Sequence, residues 1–173
     1  MRAVGVIGGV AATVMTVLGS LGVAPQAHAS NYGVELNGTW KVMSNGQWAK
    51  TNSVFIDQKT DIQIWNITSS CVSPIECTGT VTSDKGWTAP INLVKVYWIL
   101  NREIPDWAPC PDGTFAHGRQ KFTVWGINPA LNERDLFITD LLAGRNITET
   151  DSGACGRNQP IDIELPVRME RIA

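Results

Sequence analysis

Turn-forming residues cut this chain before any helix can build. Asn45-Gly46, Asp84-Lys85-Gly86, residues 109–113, Asn128-Pro129, Gly144 and Ser152-Gly153 recur between apolar runs, and no run keeps an amphipathic helical period for three turns. Where a period exists, it is two. In PIDIELPVRME, Ile161, Ile163, Leu165, Val167 and Met169 alternate with Asp162, Glu164, Pro166, Arg168 and Glu170, which marks a strand with one buried and one wet face. Pro166 removes a ladder donor and predicts an edge or a bulge. Short strands punctuated in this way make an all-β domain. The expected architecture is a single antiparallel β-barrel, with a β-sandwich as the alternative.

Other strands are less regular. Ile62 and Ile64 of TDIQIWNIT share a face, then the phase shifts at Trp65 and Ile67, which predicts a bulge or a strand changing sheets. INLVKVYWIL, residues 91–100, is apolar almost throughout and reads as one strand covered on both faces. KFTVWGI, residues 121–127, and CTGTVTS, residues 77–83, read as strands, while DLFITDLL, residues 135–142, fits a strand or a short helix. Residues 103–118, rich in Pro and Gly, form the longest irregular segment and a candidate functional loop. Asn45-Gly46 is the preferred pair for a two-residue hairpin. That hairpin would set Trp40 opposite Thr51 and Met43 opposite Trp48, sending Trp40 into the core and Trp48 to an outer face.

The chain begins with one early charge, Arg2, followed by an uncharged apolar run and the triplet Ala27-His28-Ala29. This order reads as a secretory signal peptide over residues 1–29, leaving residues 30–173 as a single secreted β domain. No later segment is long and apolar enough to span a bilayer, so a soluble mature protein without a transmembrane segment is expected. Losing Arg2 lowers the 14 basic residues to 13 against 16 acidic ones, a formal charge of −3. With no basic surplus to neutralise phosphates, nucleic acid is not an expected partner.

All four cysteines, Cys71, Cys77, Cys110 and Cys155, follow the leader. An even count in an oxidising compartment reads as two disulfides with three possible pairings. Ser73-Pro74 can turn the chain inside CVSPIEC, which makes Cys71–Cys77 the natural local bridge and leaves Cys110–Cys155. The alternative, a zinc site, fits neither the spacing nor the compartment, and no metal is expected. Glycine loops for phosphates, paired metal-binding histidines and nucleotide motifs are absent, so no cofactor is implied.

Four blocks, GTWKVMSNGQWAKTN, CVSPIECTGTVTSDKGWTAP, IPDWAPCPDGT and SGACGRNQP, together resemble small secreted proteins of unknown function from mycobacteria and related actinobacteria. The resemblance covers most of the mature chain and implies export and both disulfides without implying a mechanism. It also implies that the acceptor motifs at Asn37, Asn66 and Asn146 are incidental. Gly38-Thr39-Trp40 and Thr139-Asp140 resemble lipocalin-like motifs, which implies an eight-stranded cup around an apolar ligand. Leu141 replaces that family's aromatic residue, and no helix follows the last arginines.

Candidates for catalysis are few. His117, the sole histidine after the leader, would be a general base oriented by Asp112, but no nucleophile stands near it in the sequence. His117, Asp140 and Ser152 follow the chain order of trypsin-like hydrolases, although the domain is too short for two six-stranded barrels. The close carboxylates Asp57 and Asp61, Glu103 and Asp106, and Glu149 and Asp151 read as solvated charges. Seven tryptophans remain. Trp98 and Trp125 lie within strands and are assigned to the core. Trp87 and Trp107, beside Pro and Gly, are the candidate ligand-binding residues, together with Trp48. The expected function is non-catalytic binding of a small apolar ligand or cell-envelope component in a deep apolar pocket near Trp87 and Trp107. A structural or host-facing protein-interaction module is the alternative, and a secreted hydrolase the third reading.

Overall fold

The structure, a computed structural model, describes residues 31–173; the signal peptide expected over residues 1–29 lies outside them. The strands are β1 (Gly38–Ser44), β2 (Lys50–Thr51), β3 (Val54–Phe55), β4 (Asp61–Ser73), β5 (Glu76–Ser83), β6 (Thr88–Val94), β7 (Tyr97–Pro109), β8 (Phe115–Asn128), β9 (Glu133–Arg134), β10 (Leu141–Glu149) and β11 (Asp162–Arg171). Eight of them, β1, β4 to β8, β10 and β11, pair antiparallel in chain order, and β11 returns to β1. The result is a closed up-and-down barrel, the architecture that removes sheet edges altogether. β2 and β3 prolong the sheet from β11 where β1 has ended, and β9 is a short flap on β8.

Apart from register shifts near the ends of β4 and β7, side chains alternate in and out, so each strand's inward set can be read down the barrel. At the upper end, where β1 begins, the interior holds Trp40, Ile67, Leu93, Trp98, Val124, Leu142 and Met169, all buried. Val34 and Leu36, from the segment before β1, close that end. Ser69 holds them there, its hydroxyl taking the Leu36 N–H at 2.9 Å and donating to the Leu36 carbonyl at 3.1 Å. Below this layer Trp65 meets Phe122 and Trp87 edge-on, at centroid distances of 4.9 and 5.4 Å, a favoured arrangement of ring quadrupoles.

Both disulfides form as expected. Cys71 and Cys77 are directly opposed on β4 and β5. Cys110–Cys155 ties the end of β7 to the turn between β10 and β11, where Ala108, Ala116, Trp107, Ala154 and Ile161 form a second small cluster. Pro166 also behaves as its chemistry requires. Its carbonyl accepts from Asn45 N at 2.8 Å, just past the last residue of β1, so its missing N–H faces a gap in the ladder.

Six local expectations are corrected. Residues 45–46 do not form a hairpin: Asn45 Oδ1 accepts from Gln47 N and starts a single 3-10 turn, Gly46–Trp48. β1 pairs instead with β4 and β11. Gly46 is needed for close approach, since a β-carbon there would stand 1.9 Å from the Gln58 carbonyl oxygen. Trp40 is nonetheless in the core, and Trp48 is 62% exposed. In β4 the phase does not shift at Trp65, because Gln63 enters the interior with Trp65 and Ile67 while Ile62 and Ile64 face outward. The Gln63 carbonyl satisfies Trp65 Nε1 and Ser83 Oγ, each at 2.9 Å.

Residues 91–100 are two half-buried strands, β6 and β7, joined through Lys95 in the left-handed region at φ +62°. Residues 103–118 are mostly paired strand: β7 and β8 run on as an arm with a register shift between Ile104 and Ala108. Residues 135–142 are irregular until β10 begins, and their backbone crosses β8 at Gly126, with Asp135 N donating to its carbonyl at 3.0 Å. Trp98 is buried as assigned, but Trp125 lies on the outer face, between Tyr97 and the Arg134 guanidinium 4.6 Å away.

Candidate functional site

Toward the lower end the inward positions change from apolar to polar on several strands at once. β1 passes from Trp40 and Val42 to Ser44, β8 from Val124 and Phe122 to Gln120, and β10 from Leu142 to Asn146 and Thr148. These polar side chains are buried. Between them opens a hollow of about 220 Å³, bordered by Asp61, Lys59, Ile163 and Leu165 and flanked by Trp107 from the β7–β8 arm.

The hydrogen bonds around this hollow are incomplete. Asn146, 3% exposed, donates from Nδ2 to Ser44 Oγ at 3.3 Å, yet its Oδ1 has no partner among the described residues. A buried acceptor left unpaired costs roughly 1–3 kcal/mol. Gln120 Oε1 is taken by Arg102 Nε at 2.6 Å, which leaves the Gln120 amide donors. The Arg102 guanidinium stacks 4.4 Å from the centre of the Trp87 ring. Burial pulls Arg102 below its ordinary pKa, and the Asp61 carboxylate partly offsets this. Asp61 itself accepts from Gln63 Nε2 at 2.5 Å.

Of the three tryptophans named from sequence, two come to this end. Trp87 sits half-buried between Trp65 and Arg102, its Nε1 also without a partner among the described residues, and Trp107 borders the hollow. Trp48 is on the 3-10 turn outside it. Arg102, Gln120 and Asn146 carry no motif. Their only sequence signal is inward parity, which becomes legible once the strand register is known.

The hydrolase residues are not brought together. His117 Nε2 lies 3.2 Å from Glu103 Oε2 on the arm, and Asp112 accepts from Thr114. Ser152 Oγ donates to the Asn158 carbonyl at 2.6 Å. Asp140 stands at the upper end beside Arg171, near Gly126, and nine residues of one strand, about 30 Å, separate Gly126 from His117. Among the described residues no group of three or more His, Cys, Asp or Glu is placed to hold a metal, and no helix is long and apolar enough to cross a membrane.

Trp107 owes its position to Gly118. A β-carbon at Gly118 would stand 2.8 Å from the indole ring, so Gly118→Ala should displace Trp107 and destabilise the domain by about 1–3 kcal/mol. Near-UV circular dichroism and urea melts check this; unchanged spectra and stability would refute the close packing.

No protein-family model matches the chain, and no curated protein does. A solved structure does match in shape. The fold is similar to that of a mycobacterial sensor domain. The monomer form of the M. tuberculosis PknI sensor domain superposes with a TM-score of 0.57 at 14% identity, over 80% of this chain and 88% of that one. At such identity the likeness concerns the fold alone.

Proposed function

We propose that the protein is a non-catalytic binding module working outside the cytoplasm, and that its ligand enters the lower hollow beside Trp107. The two disulfides favour an oxidising compartment, and a fold shared with a sensor domain is compatible with a recognition role. The observation that carries the reading is the asymmetry of the barrel. Val34, Leu36 and the packed indoles fill the upper interior, so the apolar half is occupied by the protein's own side chains. The lower half holds a hollow in which buried polar side chains stand beside the apolar Ile163, Leu165 and Trp107, in place of the deep apolar pocket expected from sequence.

Titration of the disulfide-bonded, nitrogen-15-labelled protein with cell-envelope extracts tests this through the indole N–H signals. The Trp107 signal should shift saturably. Extracts that leave it unmoved at every concentration would sink the proposal.

A second reading, a protein-interaction module, is favoured by one patch. Trp48, Val54, Phe55 and Ile56 are all exposed beside the outer edge of β3, and exposed apolar edges invite strand pairing. Shifts confined to Trp48 in the same titration would select it.

A further inference from the structure

We propose that the lower hollow recognises a neutral, polyhydroxylated ring, the chemical class of a sugar unit, with Trp107 as the face against which the ring packs and Asn146 Oδ1 as a hydroxyl acceptor. This rests on the binding role argued above and specifies its ligand class.

The walls supply the argument. Their planar polar groups are the amides of Gln58, Gln120 and Asn146 and the carboxylate of Asp61, joined by the hydroxyls of Ser44 and Thr148. Asn146 Oδ1 is a buried acceptor that needs a donor, and Gln120, whose oxygen already accepts from Arg102, offers its two amide N–H donors. A guest must therefore both give and accept hydrogen bonds within a short span, as vicinal hydroxyls do. An apolar guest would leave these groups unpaired, the circumstance in which a polar site rejects a ligand most strongly.

An anion is no better suited. Lys59 and Asp61 border the hollow with opposite charges, so the lining has no positive surplus. Burial also works against the charge of the nearby Arg102, which is committed to Gln120 and the Trp87 ring. Size points the same way. The hollow, about 220 Å³, is smaller than the roughly 300–1,000 Å³ of sites for drug-sized ligands, which suits a single ring. An indole at its border provides an apolar surface for the C–H face of such a ring.

The test titrates the labelled protein with methyl glycosides of glucose, mannose, galactose and arabinose, with inorganic phosphate and 1-octanol as the competing chemistries. At least one glycoside should shift the Trp107 indole signal saturably. Asn146→Ala should weaken that binding by about tenfold. Trp107→Phe, which keeps an aromatic face over Gly118, should weaken it less than Trp107→Ala, both read from the backbone amide signals of Gly118, Gln120 and Asn146 around the hollow. Both the Asn146→Ala and Trp107→Phe proteins are first checked by their amide spectra for an intact barrel. If either intact variant binds like the parent, the assignment to this hollow is overturned. A shift with phosphate or octanol but no glycoside overturns the ligand class. If envelope extracts move Trp107 and no glycoside does, the binding role survives and the sugar class fails; if neither moves it, both fall.

Discussion

Trp65→Ala is expected to destabilise the domain by about 3–5 kcal/mol, lowering Tm by on the order of 10 °C. Trp65 is fully buried and joins elements distant in sequence. Its ring meets Phe122 of β8 and Trp87 of the β5–β6 turn, and Trp40 of β1 stands opposite it in the ladder. Those contacts come from paired strands that cannot close on one another, so the lost volume persists as a cavity. The substitution also takes Trp65 Nε1 from Gln63 Oε1, leaving Ser83 as that oxygen's partner. Trp65→Phe should retain part of the packing and fall between the two proteins. By contrast, Trp48→Ala, on an exposed turn, should stay within about 0.5 kcal/mol of the parent. Urea unfolding of the four proteins measures this order, and a Trp65→Ala loss no greater than that of Trp48→Ala would contradict the assigned core.

Replacing Cys110 and Cys155 together by serine should cost about 4 kcal/mol in the chain-entropy model, against about 2 for the same change at Cys71 and Cys77. The difference follows from the sequence separations of 45 and 6 residues, since the longer loop loses more freedom when closed. The short bridge also spans a hairpin that its own strand pairing already closes. The long bridge has a functional consequence as well. It fastens the β7–β8 arm to the turn after β10 within the small cluster that holds Trp107. Its removal should release the arm and the hollow's aromatic border before the barrel melts. Limited proteolysis across residues 103–118, alongside urea unfolding, reads both effects; an arm as resistant as the parent's would show that the strand pairing alone holds it.

Much of this protein was readable from local pattern. The alternation in PIDIELPVRME foretold β11 with its buried Leu165, Val167 and Met169, and the cysteine spacings foretold both bridges. Each is decided by neighbours along the chain, either through the two-residue repeat of a strand or through the short reach of a local loop. The Asn45-Gly46 hairpin failed for the complementary reason. The local preference for a tight turn lost to pairing of β1 with strands distant in sequence, β4 and β11.

The candidate site lies on the same divide. Trp87 and Trp107 stood out as aromatic residues beside turn formers, and the fold carries both to the lower end. Asn146, Gln120 and Arg102 did not stand out, because an amide or a guanidinium on a strand has no sequence mark that says which face it takes. Sequence by itself determined an all-β chain, its disulfide pairing and the residues able to fill a core. Tertiary structure alone decided that the barrel closes, that Gln63 turns inward with Trp65, and that polar side chains from separate strands converge below a packed apolar half. Closure sets the register of every strand against its neighbours at once, and register, rather than composition, determines which polar groups are buried together.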